Sequence, residues 1–153
     1  MIDIRRITYA TDLSPASLAA LPHALHLARV TGADLTILHV LAAPTAYYIE
    51  GGYVPQEIWD RARTDAGREI DRVIAQAVDA GVRATASIVE GSIPADAIVR
   101  AAEEGKTDLL VLGTHGRTGV VRLVLGSVAA RVVATASCPV LTVRSTDGGQ
   151  GRS

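Results

Sequence analysis

The chain has 153 residues, 48% of them hydrophobic and 20% charged, with a formal net charge of −1. That length and mixture fit one globular domain with a buried core, and the near-neutral charge excludes a global field that draws the chain to nucleic acid or an anionic membrane. Aromatic residues make up 3% and none is Phe, which excludes the stacking platforms that hold single-stranded nucleic acid.

Apolar runs and helical patterns alternate along the chain. Ile4 to Ala10 reads as the first strand. Ser14-Pro15 then gives a helix start, with Ser at the cap and Pro at the first helical position. This helix is expected to reach about Val30, kinked or split at Pro22 and stopped by Thr31-Gly32. Asp34 to Val40, rich in β-branched residues, is the second strand. Ala42 to Tyr53 reads as a loop, marked by Pro44 and Gly51-Gly52. A long helix follows from about Pro55 to Ala80, with Ile58, Ala62, Ala66, Ile70, Val73, Ile74 and Ala77 recurring on one face, and Gly81 ends it. Val82 to Val89 is the third strand. Gly91-Ser92 turns the chain into a helix from about Pro94 to Glu104, closed by Gly105. Leu109 to Gly113 is the fourth strand, Val128 to Ala136 a further helix, and Val140 to Val143 the fifth strand. Residues 1–145 are expected to form a single domain, and the polar, glycine-rich residues 146–153 a flexible tail. Such alternation implies βαβ units, a mostly parallel sheet and helices on both of its faces: an α/β fold.

Between the fourth strand and the last helix lies Gly113-Thr114-His115-Gly116-Arg117-Thr118-Gly119, followed by Gly126-Ser127. Strand, glycine-rich loop and helix N-terminus in that order suit a phosphate group. Main-chain N–H groups of the loop and the first helical turn point at one spot, and the helix dipole favours an anion there. Ser127 reads both as an N-cap and as a phosphate ligand. Arg117 would clamp phosphate or merely sit on the loop, and His115 would line the site. Asp12, at the carboxyl end of the first strand, would accept bonds from ribose hydroxyls or hold Mg²⁺ through water, or it simply orders the turn.

Other signatures fail. The dinucleotide fingerprint Gly-x-Gly-x-x-Gly is absent from the loop. Gly105-Lys106-Thr107 imitates the end of a P-loop, but the first glycine would fall at Arg100 and the segment lies between a helix and a strand, in the wrong order. Lys106 reads as a solvated turn residue. His23 and His26 are too few to make a metal site, and His39 reads as structural. Arg61, Arg63, Arg68 and Arg72 alternate with Asp60, Asp65, Glu69 and Asp71, the pattern of a solvated helix face. Cys138 is alone and reads as a structural thiol. Residues Met1 to Arg6 lack the features of a secretory signal, and no apolar run approaches the ~20 residues that span a bilayer, so a cytoplasmic location is expected.

These segments resemble the universal stress protein family. The likeness runs from Ile4 to Arg144. Its most specific part is Gly113-x-x-Gly116, nine residues, then Gly126-Ser127, similar to the Gly-x2-Gly-x9-Gly-Ser/Thr pattern of the ATP-binding subgroup. Asp108 to Gly119, Ser137 to Val143, Ala10-Thr11-Asp12-Leu13-Ser14 and Gly91-Ser92-Ile93-Pro94-Ala95 also match the family's wording. Leu13 departs from it, standing where Phe is frequent, as does Pro22 inside a usually continuous helix. The resemblance implies a Rossmann-like, five-stranded parallel sheet of order 3-2-1-4-5. It implies ATP, with or without Mg²⁺, with adenine against the main chain of Val40 and phosphates at Gly116, Arg117, Gly126, Ser127 and Val128. Ribose would meet Asp12 and the Gly113 side, and Thr11 and His115 would belong to the same nucleotide site. It also implies a homodimer through the Val140–Val143 edge strand.

Three functions compete on this reading. One is an ATP-binding stress-response or regulatory protein with at most slow hydrolysis, since no positioned base, arginine finger or metal cage is visible. The second is a nucleotide hydrolase or adenylating enzyme on the same scaffold, disfavoured because the Ser-Gly-Gly-x-Asp-Ser loop is missing. The third is a nucleotide-free dimeric interaction module, disfavoured by the intact glycine spacing.

Overall fold

A computed structural model of the chain describes residues 1–43, 47, 51–115 and 125–145. Among these are five strands and five helices. In chain order they are β1 (Arg6–Ala10), α1 (Pro15–Leu18), α2 (Leu21–Thr31), β2 (Asp34–Leu41), α3 (Gln56–Asp79), β3 (Ala84–Glu90), α4 (Pro94–Glu104), β4 (Leu109–Gly113), α5 (Ser127–Thr135) and β5 (Val140–Val143). The strands form one parallel sheet of order β3-β2-β1-β4-β5. Gly116 and Arg117 of the candidate site, and the tail expected at 146–153, lie outside the described residues.

Side chains alternate across a strand, so each strand feeds both faces. Ile7, Tyr9, Leu35, Ile37 and Val111 pack with Leu21, Ala24 and Ala28 of α2 and with Ile70, Val73 and Ala77 of α3. Ala10, Leu38, Leu110 and Leu112 pack with Ala95, Ile98 and Ala102 of α4 and with Ala129 and Val132 of α5 on the other face. Both faces are therefore covered, as a parallel sheet requires. Without phenylalanine, small alanines on the helices let them sit close to the branched residues of the strands. Cys138 is half-buried beside the α4–α5 cluster, and burial pushes its thiol above the ordinary range, which fits an inert packing role.

The segment from Ser14 to Val30, expected to be kinked or split at Pro22, is split in two just ahead of that residue, between Leu18 and Leu21. Ser14 caps α1, accepting the Ser17 N–H at 3.2 Å. Pro22 falls in the first turn of α2, where a missing N–H costs nothing. The N-terminal ends of β1 and β4 are clamped by Asp108, whose Oδ2 accepts the N–H groups of Arg5 and Arg6, both at 2.9 Å. Those two main-chain bonds hold its carboxyl below the usual range.

Helix α4 runs from Pro94 to Glu104 with Gly105 as its cap, as the sequence reading expected. Thr107 N–H reaches Ala102 O at 2.9 Å and Lys106 N–H reaches Glu103 O at 3.0 Å, a Schellman closure. The left-handed position of that motif falls on Lys106, with φ of 50°, while Gly105 keeps a right-handed φ of −77°. The glycine is one residue early. Lys106→Gly is expected to stabilise the fold by about 0.5–1 kcal/mol by removing a Cβ from the left-handed region. An unchanged or lowered urea midpoint would contradict this.

Candidate functional site

The connections from β1 and β4 leave the sheet on opposite faces. α1 and α2 lie on one face, and α5 lies on the other. The neighbouring carboxyl ends of these two strands therefore border a crevice, the topological switch point of the sheet. A cavity of about 580 Å³ opens there. Thr11, Asp12, Val40, Gly113, His115, Gly126, Ser127 and Val128, far apart in the chain, all line it.

The β1–α1 turn forms one wall. Asp12 is half-buried, and its Oδ1 accepts both the N–H of Ser14 at 3.0 Å and its hydroxyl at 2.5 Å. The carboxylate thus orders the turn, as one of the two sequence-level readings had it, and it also lines the cavity. Leu13 takes a left-handed φ of 65°, an uncommon conformation for a branched residue.

The β4 loop and α5 form the second wall. Thr114 is buried and ties three parts together. Its N–H donates to Val143 O of β5 at 2.9 Å, its carbonyl accepts Gly126 N–H at 2.6 Å, and its hydroxyl lies 3.0 Å from His115 Nδ1. The cap of α5 is Gly126, extended at φ −67° and ψ 164°, one residue before the expected Ser127. Ser127 is instead the first helical residue, because Gly126 O already accepts Ala130 N–H at 2.8 Å. A glycine cap brings no side-chain acceptor. The N–H groups of Ser127, Val128 and Ala129 have no acceptor within the helix, and all three residues line the cavity. Gly126 contributes differently, since its own N–H is committed to Thr114.

Strand β2 supplies the third wall. It pairs with β1 only as far as Leu38, opposite Ala10, yet runs on to Leu41. Leu38 O accepts Thr11 N–H at 2.9 Å, which fixes the side to which its polar groups point. Two residues on, alternation turns the main chain of Val40 the same way, past the end of β1 and into the cavity. His39, between them, is buried, lines the cavity, and has Nδ1 2.9 Å from Thr11 O. It is structural, as expected, but its structural task is at the site.

The sequence reading missed a fourth wall. Ala62, Asp65, Ala66 and Glu69 of α3 line the cavity. Asp65 and Glu69 were placed on a solvated face, and they do pair with Arg68 at 3.8 Å and Arg72 at 2.6 Å. Their spacing of four also brings them to one rim of the pocket, beside the apolar face that carries the alanines. Pro94 and Ile98 of α4 add apolar surface on the opposite side. His23 and His26 are exposed on α2, and no cluster of three or more His, Cys, Asp or Glu is arranged for a metal among the described residues.

A profile described as the universal stress protein family matches residues 3–144. The universal stress protein MJ0531 of Methanocaldococcus jannaschii is 36% identical over 143 residues, covering 92% of this chain and 82% of that protein. The structure of MJ0577 from the same organism superposes with a TM-score of 0.83 at 27% identity, covering 95% of this chain and 99% of that one. A universal stress protein solved in complex with cAMP is 26% identical, with a TM-score of 0.70 and coverage of 93% of this chain and 98% of its own.

Proposed function

The chain belongs to the universal stress protein family, and from that membership and the cavity's geometry we propose that it is an ATP-binding regulatory protein. The observation that carries the reading is the N-terminus of α5. Three first-turn amides without helical acceptors border a cavity at the switch point, where the helix dipole favours phosphate. In this reading Val40 would offer main-chain groups to an adenine edge, Pro94 and Ile98 apolar contact to its ring, and Asp12 a carboxylate to the ribose, all of them residues that line the cavity. Gly116 and Arg117 would complete the phosphate cradle. A Mg²⁺ accompanying the nucleotide would ride on the phosphates, with Asp12 as the neighbouring carboxylate. The cAMP complex of a relative supports adenine nucleotides as the ligand class.

The regulatory reading is preferred over hydrolysis because the Nδ1 atoms of the two cavity histidines, and the Asp12 Oδ1, are engaged in structural bonds. His115 Nδ1 is held near Thr114 and His39 Nδ1 near the Thr11 carbonyl. In the proposed homodimer a second copy would pair along β5, which ends the sheet and whose first three residues are half-buried. No helix of the described residues is long and apolar enough to cross a membrane, and a cytoplasmic regulator is the proposed setting.

Titration calorimetry with ATP, AMP, cyclic AMP and adenosine tests the proposal. ATP is expected to bind at least tenfold more tightly than adenosine, the gain of one or more charge-assisted bonds at about 1.4 kcal/mol per factor of ten. Equal affinity for ATP and adenosine would remove the phosphates from α5, and failure of every adenine compound to bind would overturn the reading.

A further inference from the structure

Ser17 is not a candidate ligand in any motif of the sequence, yet it lies at the centre of the site's supporting bonds. It is 4% exposed. Its hydroxyl lies 2.7 Å from the Thr11 hydroxyl and accepts the Asp12 N–H at 3.2 Å. The Thr11 hydroxyl in turn accepts the Leu13 N–H at 3.0 Å. The Ser17 carbonyl accepts the Tyr9 hydroxyl at 2.9 Å, from a side chain that is fully buried behind the cavity wall. Burial raises the Tyr9 phenol above its ordinary range, so it remains a donor. Ser17 also touches the second loop. A Cβ built on Gly113 would sit 3.3 Å from Ser17 Cα and 3.3 Å from Ala16 O, so α1 rests directly on the last residue of β4.

We propose that Ser17 is a positioning residue that sets Asp12 for a ribose hydroxyl, with Tyr9 anchoring Ser17 from beneath. The proposal rests on the nucleotide reading above. Three observations carry it. Thr11, Asp12 and Leu13, three successive residues, all depend on the Ser17–Thr11 hydroxyl pair for a main-chain or side-chain partner. The left-handed Leu13 is a conformation that a leucine does not adopt unless its surroundings impose it. The hydroxyl pair is buried in the wall of the cavity, so deleting one partner takes a short bond from the turn at the site itself. Ser17→Ala removes the acceptor of Asp12 N–H and the partner of Thr11 together. Asp12 and Ser14 would then shift as a unit, because Asp12 Oδ1 is bonded to Ser14.

The test compares ATP with 2′,3′-dideoxy-ATP by calorimetry on the wild-type protein, Ser17→Ala and Tyr9→Phe. Wild type is expected to prefer ATP. Ser17→Ala is expected to lose about tenfold in ATP affinity and to bind the dideoxy analogue almost as wild type does, which erases the preference. Tyr9→Phe keeps the buried ring and is expected to erase part of the preference. It serves as the test on its own should Ser17→Ala fail to fold. Equal losses for both nucleotides, or no loss in either variant, would overturn the role of Ser17 and leave the nucleotide reading standing. No ATP binding by wild type would overturn the nucleotide reading itself, and the role of Ser17 with it.

Discussion

Ser127→Pro is expected to lose roughly ten- to hundredfold in ATP affinity with little change in stability. The position tolerates proline for reasons visible in the backbone. Ser127 is the first residue of α5, where no intrahelical bond uses its N–H. Gly126 before it is already extended at ψ 164°, the conformation that proline demands of its predecessor. Ser127 is exposed, so the swap disturbs no packing. What the substitution deletes is one amide donor at the mouth of the helix, together with the hydroxyl. Ser127→Ala deletes the hydroxyl alone and is expected to cost less. The difference between the two variants isolates the main-chain contribution, and adenosine should bind all three proteins alike. Wild-type ATP affinity in Ser127→Pro would show that the helix amide does not hold phosphate.

The second large effect belongs to Gly126, through a different cause. Its N–H bonds Thr114 O at 2.6 Å, and a Cβ added there would lie 2.8 Å from that same oxygen. The obstacle is main chain, which cannot rotate aside as a side chain can. Gly126→Ala must push the start of α5 away from the end of β4, breaking the bond that closes the loop. Overpacking of this kind costs about 1–3 kcal/mol, so a fall in Tm of several degrees is expected for a chain of this size, at ~2–4 °C per kcal/mol. ATP affinity should fall at least tenfold, because Ser127 and Val128 move with the helix. The glycine is thus needed for close approach of the main chain to itself, and only through that for the ligand. A variant with unchanged Tm and unchanged affinity would refute this geometry.

Much of the molecule was legible from the order of residues. Strands β2 and β4 show as apolar runs, and α3 shows by the spacing of Ala66, Ile70, Val73 and Ala77, all of which are buried. The glycines after β4 pointed to the cavity at the switch point, which Gly113 and Gly126 do line, and family resemblance supplied the strand order that the structure shows. What escaped depends on contacts between segments distant in sequence. The cap of α5 falls on Gly126, whose amide Thr114 captures, an interaction across twelve positions. Asp65 and Glu69 read as solvated because their arginine partners are local, whereas the cavity they border is built by β1, β2 and β4. Ser17 carries no motif at all, and its part emerges only when Tyr9, Thr11 and Gly113 are brought around it. Lys106 took the left-handed position because α4 ends at Glu104 with Gly105 as its right-handed cap, which leaves the left-handed turn to the residue after the glycine.

The most direct measurement is a ¹⁵N–¹H correlation spectrum of the protein titrated with ATP and, separately, with adenosine. ATP is expected to move the Ser127 and Val128 amide resonances strongly downfield, as protons donated to phosphate do, while adenosine moves Val40 and leaves those two in place. Ser127 and Val128 resonances that stay fixed under saturating ATP, with the nucleotide bound elsewhere or not at all, would contradict the account at its root.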